Sequence, residues 1–240
     1  STLVLTRLLA PDAFGLMSLA TVFLGGLGVI GEFGIRASVV RSERGEDHAF
    51  LRTAWTMQVL RGVFITLAAI LLAWPMSRFY DEPMLWPMIS VLALTTTIDG
   101  LGSISMAQAN RDMRLRVLSL LNIGVQAVNT AVTIAAAFLT GSVWALVIGV
   151  LVGRTLKLVL SYVVLPPFPH RLQLERDAVR EMLTFGSWLL LGTVLTYIGG
   201  RGVAMVYGAL IETDLLGLIV IAGTIGWALF IGLSFSISLY

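Results

Sequence analysis

Seven stretches of this chain run for twenty residues or more with at most two charged side chains each: residues 14–34, 53–74, 84–107, 117–139, 143–165, 185–210 and 215–239. An α-helix rises 1.5 Å per residue, so about 20 apolar residues cross the roughly 30 Å hydrocarbon core of a bilayer. Every one of the seven is long enough. Punctuation separates them: Pro75 and Pro83, Asn110-Arg111-Asp112, Thr140-Gly141-Ser142, and PPFPH at 166–170. A soluble domain carries roughly 25% charged residues; here the figure is 12%, with 57% hydrophobic and a mean hydropathy of +0.91. These numbers predict an all-α integral membrane protein, a polytopic helix bundle. The run ahead of Pro11 is too short to span. Together with Ser1 it sets the expectation that the first helix has lost its N-terminal part and that the chain is a fragment.

The connections alternate in charge. Arg36, Arg41, Arg44 and Arg52 fill one, Arg111, Arg114 and Arg116 the next but one, and Arg171, Arg176 and Arg180 a third. Between them lie PMSRFYDEP with Arg78 beside two acids, then TGS, then IETD with no base. Basic loops stay on the cytoplasmic side, which makes the Arg-rich connections cytoplasmic, the LAPD turn at 9–12 external, and the N-terminus cytoplasmic. The stretch RLQLERDAVREMLT at 171–184 sets Leu172, Leu174, Val179 and Leu183 among charges. Such a pattern suits a short amphipathic helix on the membrane surface or a solvated linker, and the sequence leaves both open.

Several chemistries drop out. Without cysteine there is no disulfide, thiolate or Cys-metal site. The two histidines, His48 and His170, fall in charged, loop-like stretches and read as loop residues, so no metal site is expected. GLGVIG at 26–31 has the spacing of a dinucleotide fingerprint, but it lies inside a spanning run, where small residues serve close helix approach. Gly149 and Gly153 form a GxxxG pair with the same explanation. Nothing resembles a phosphate-binding loop, so neither ATP hydrolysis nor another cofactor-dependent activity is expected.

The external turn recurs. Shifted by 202 residues, LLAPDAFGLMSLA falls on LIETDLLGLIVIA, with Leu8 on Leu210, Asp12 on Asp214, Gly15 on Gly217, Leu16 on Leu218 and Ala20 on Ala222. Six spans separate the copies, so both have one orientation, as in transporters built from two parallel halves. RLLAPDAFGLMSLATV resembles the first outer turn of the polysaccharide transporter branch of the MOP flippases (multidrug, oligosaccharidyl-lipid, polysaccharide). FGSWLLLGTVLTYIGGRGVAMVYGALIETDLLGLIVIAG is similar to the start of their second lobe, and GSVWALVIG at 141–149 to the opening of their sixth helix. One departure is Ile219, where the family has Tyr after the second-lobe turn.

The resemblance implies a transporter of 12 to 14 helices. Residues 1–165 would be the N-terminal lobe, 166–184 a cytoplasmic linker, and 185–240 the first two helices of the second lobe. It implies a bacterial inner-membrane flippase, not an enzyme, that moves a lipid-linked (undecaprenyl-pyrophosphate) oligosaccharide or polysaccharide precursor by alternating access. Its partners would be that glycan lipid, membrane lipids and other polysaccharide-assembly proteins, with no nucleic acid. A multidrug exporter of the same superfamily and a membrane glycan polymerase or ligase are the alternatives. Cations in the spans disfavour the first, and the short external loops, without His, disfavour the second.

Charges inside spans cost from about 2.5 kcal/mol upward when they face lipid, so they usually face a cavity or a partner. Arg154, mid-way along the 143–165 run, and Lys157, three residues on, share a helix face. With Arg61 and Arg201 they are the candidate substrate-binding cations, since a guanidinium fork can hold phosphate oxygens in two places. The competing reading pairs Arg154 with a neighbouring acid, lets Lys157 snorkel inward and takes Arg201 to the outer interface. Asp99 either accepts a coupling proton or forms a structural pair, for which Arg61 is the favoured partner. Glu32 pairs locally with Arg36. Asn122, Gln126 and Asn129 form a polar face for sugar hydroxyls or for helix–helix glue.

Overall fold

A computed structural model describes residues 2–30, 34–210, 215, 217–223 and 226. The described chain is all helical, as the apolar runs demand: α1 (Thr2–Leu8), α2 (Pro11–Ile30), α3 (Ile35–Arg41), α4 (His48–Phe79), α5 (Leu85–Gly100), α6 (Ser105–Arg111), α7 (Leu115–Thr140), α8 (Trp144–Val163) and α9 (Arg176–Leu210). Five of these are long and apolar enough to cross a membrane, and α5 with α6 makes a sixth if counted as one bent span. The protein is a multi-pass membrane protein. Glu32 and most of the 215–239 run lie outside the described residues, as does the side chain of Arg201 on α9.

Helix α4 shows why the bundle needs lipid. Leu60, Phe64, Leu67, Leu71 and Trp74 stand exposed at helical spacing along one face. Large apolar side chains are each worth about 1.5–3 kcal/mol when moved out of water, so such a row belongs against acyl chains. The opposite face is small and hydroxylic, and packs on α5. Gly62 sits so close that an added Cβ would lie 2.6 Å from the Thr96 carbonyl oxygen and 3.3 Å from the Gly100 Cα. The Thr66 hydroxyl donates to the Ala93 carbonyl at 2.8 Å and lies 2.7 Å and 2.8 Å from the Thr96 and Thr97 hydroxyls. Close backbones and hydroxyl bonds are how helices adhere where lipid removes the hydrophobic drive. Gly149 and Gly153 of α8 take Thr133 and Asn129 of α7 in the same way, which makes Asn129 helix–helix glue.

The breaks differ from the sequence expectation in three places. Helix α4 continues through Pro75 to Phe79, and it begins at His48, capped by the Asp47 carboxylate on the Ala49 N–H at 3.0 Å. Residues 176–184 are no separate surface helix: they are the first turns of α9, which runs unbroken for 35 residues. Thirdly, the 84–107 run is bent by 61° between α5 and α6.

Two apolar cores result. One holds Leu5, Leu16, Ala20, Ala73, Met88, Leu92 and Val147 toward the Arg-poor end. The other holds Ile35, Val39, Phe50, Leu51, Ile104, Ala178 and Met182 at the Arg-rich end. Between them lies a polar belt. At the Arg-poor end the 217–223 segment meets the start of α2: a Cβ on Gly217 would collide with the Pro11 carbonyl and lie 3.2 Å from the Gly15 nitrogen.

Candidate substrate cavity

The bend in the 84–107 run builds the belt. A helix broken at membrane depth frees backbone groups that cost several kcal/mol each unless partnered. Here side chains from three other segments supply the partners. Gln58 Nε2 of α4 donates to the carbonyls of Asp99, Gly100 and Gly102 at 3.2, 3.0 and 3.1 Å. The Tyr162 hydroxyl of α8 donates to the Leu101 carbonyl at 2.7 Å, and the Ser103 N–H donates to Ser161 Oγ at 3.1 Å. His170, beyond α8, accepts from the Ile104 N–H through Nε2 at 3.3 Å. That contact fixes Nε2 as the unprotonated ring nitrogen. The ring is walled by Trp55, Tyr162 and Phe168, with centroids 5.1, 5.1 and 5.2 Å away, and burial pushes its pKa below the usual value. A histidine that reads as a loop residue is thus a cap on a broken helix. The only hint in the sequence is DGLGS at 99–103, which supplies the small residues a bend needs.

Asp99 sits on the last turn of α5, directly before the bend. Arg154 Nη1 of α8 donates to Asp99 Oδ2 at 2.9 Å. The competing reading of Arg154 therefore has a geometric basis, with Arg154 rather than Arg61 as the partner seen on Asp99. Both side chains remain open, 47% and 37% exposed. Arg61 and Asp99 line a cavity of about 150 Å³ together with Arg36, Gln58 and Thr96. Arg36 also lines a wider, open groove of about 590 Å³, with Arg41, Asn110, Asn122 and Lys157 set among Met106, Leu118 and Phe185. Lys157 is half-buried, and Asn122 reaches this groove whereas Asn129 does not. The described geometry brings Arg61, Asp99, Arg154 and Lys157 into one region, with Arg36 as an unforeseen link. Near a run's end, Arg36 reads simply as a basic loop residue.

Other cations at the Arg-rich end are spent on structure. Arg44 bridges Asp47 at 2.8 Å and Glu175 at 2.8 Å, which holds the Asp47 carboxylate below its usual pKa. Arg111 donates to the Val39, Val40 and Ser42 carbonyls. Arg41 lies over the Phe185 ring, 5.0 Å from its centroid.

A multi-pass helical bundle with a cation-lined opening between two apolar cores defines a class, that of cavity-bearing membrane proteins. The chain belongs to the polysaccharide biosynthesis protein family, whose model matches residues 4–231. The resemblance to the polysaccharide transporter branch of the MOP flippases stands with it. It is also similar to the lipopolysaccharide biosynthesis protein WzxC of Escherichia coli (strain K12), at 20% identity over 215 residues. That match takes in 89% of this chain and 44% of the relative, so the chain spans less than half the relative's length. No solved structure gives a significant match.

Proposed function

We propose that this chain is part of a flippase that moves a lipid-linked oligosaccharide or polysaccharide precursor across the bacterial cytoplasmic membrane. The observation that carries the reading is the charge balance of the polar belt. Among the described residues, Arg36 and Arg61 share a cavity with Asp99, Lys157 lines the neighbouring groove, and Arg154 is bonded to Asp99. Ionised groups in spanning segments belong to pathways rather than to lipid-facing surfaces, and an excess of cations suits a diphosphate. The groove adds the amides of Asn110 and Asn122 beside apolar surface, a lining that suits sugar hydroxyls next to apolar sugar faces. Arg201 keeps its place as a candidate cation on α9.

On this reading residues 1–165 form the first lobe, 166–184 the cytoplasmic linker and 185–240 the opening of the second. Alternating access would rock the lobes about the belt. The Arg-rich end faces the cytoplasm, so substrate would meet the groove first. A cationic lining disfavours export of cationic drugs. The test is reconstitution of the full-length protein in liposomes with a fluorescent undecaprenyl-pyrophosphate oligosaccharide, following loss of label from one leaflet. Transport by the wild type supports the reading, and its absence under every imposed ion gradient overturns it.

A further inference from the structure

Asp99 is set apart by its company. Among the described residues it is the one acid on the walls of the 150 Å³ cavity and the neighbouring groove, facing Arg36, Arg61 and Lys157 as well as its partner Arg154. Its contact with Arg154 is a single hydrogen bond between Nη1 and Oδ2, made by two side chains that are 47% and 37% exposed. The guanidinium has five donors in a planar fork, so this carboxylate engages only a fraction of what Arg154 offers. We propose that Asp99 is a built-in competitor for the substrate's phosphate, holding Arg154 until an anionic phosphate ester displaces it and taking Arg154 back when the ester leaves. The proposal rests on the reading of the cavity as a phosphate-binding site, and assigns how that site releases its ligand.

Three features fit an exchange better than a permanent clamp. First, a partly exposed ion pair with one hydrogen bond is weak, whereas a phosphate presents several oxygens for a two-pronged, charge-assisted grip. Secondly, the displaced carboxylate is not stranded, because Arg36 and Arg61 share its cavity. Thirdly, the backbone of Asp99 is pinned by Gln58 on its own carbonyl at 3.2 Å. The side chain can let go while the bend holds its shape. A transporter needs such a device, since a cationic site without an internal competitor would keep a diphosphate rather than release it.

The experiment uses the full-length protein in nanodiscs, with farnesyl diphosphate as the soluble probe and farnesol as the uncharged control. Asp99→Asn is expected to tighten farnesyl diphosphate binding tenfold or more and Arg154→Ala to weaken it tenfold. The double variant should bind no more tightly than Arg154→Ala alone, because the competition runs through that guanidinium. Asp99→Glu, which keeps the carboxylate, should stay within about twofold of wild type. Binding that is unchanged or weaker in Asp99→Asn overturns the proposal, and so does tightening that persists without Arg154. An Asp99→Asn protein that no longer melts as a folded species also overturns it, since the pair would then be a structural clamp. Glycolipid transport by the wild type is scored separately: its absence counts against the flippase reading, while the order of probe affinities bears on the exchange alone.

Discussion

The Arg-rich end and the polar belt both gather arginines, and they use them in opposite ways. At the Arg-rich end Arg44 has two carboxylates and Arg111 three carbonyls, so these guanidinium groups hold chain segments together. In the belt, among the described residues, Asp99 holds Arg154 by one hydrogen bond and shares its cavity with Arg36 and Arg61, while Lys157 lines the adjoining groove. A guanidinium with several partners fastens, whereas one held by a single, partly exposed hydrogen bond can exchange it. The contrast separates structural from functional cations more sharply than burial does, because Arg44 and Arg154 are both partly exposed.

The largest effect is expected in the belt. Arg154→Ala should lower glycolipid transport in liposomes at least tenfold while leaving the melting temperature within a few degrees. Equal loss of transport and folding would place Arg154 with the fasteners. Next comes the bend itself. Gln58→Leu takes the donor from the Gly100 and Gly102 carbonyls, and an unsatisfied buried group costs about 1–3 kcal/mol. Unfolding by denaturant in detergent should register a loss of about 3 kcal/mol, and a change below measurement would show that water or another side chain replaces the amide.

A smaller effect is expected at His170. Burial lowers its folded-state pKa, so between that value and the unfolded value near 6.5 the unfolded chain binds more protons. The stability from neutral His170 is therefore complete above about pH 6.5 and is lost as pH falls through that window. Melting followed from pH 8 to pH 5 should decline in the wild type and flatten in His170→Phe, once other groups are subtracted as a common baseline. The smallest effect belongs to Arg44→Met. Its partners are solvent-screened, so the melting temperature should barely move, with transport unchanged.

Much of the fold was legible because length and charge are one-dimensional signals. The spans from α2 to α9 answer to apolar runs whose length the bilayer sets. The bend at 101–104 was not, since Gly100, Gly102 and Ser103 read equally well as packing residues in a straight helix. Nor was the continuity of α9. Its first turns, at 176–184, carry charge enough to read as a linker, and only packing of Ala178 and Met182 into the second core extends the helix. For the site, the residue types were legible and their pairing was not. Asp99 and Arg154 are 55 residues apart, and no spacing rule joins positions on α5 and α8. Arg36 was hidden differently, by being one arginine among many near a span's end.

The approach of Gly217 to Pro11 and Gly15 has a geometric consequence. On the two-lobe reading, Gly15 and Gly217 are counterparts, and in a twofold arrangement a residue touches its own counterpart only beside the axis. The contact then marks where that axis leaves the membrane, between the start of α2 and the 217–223 segment.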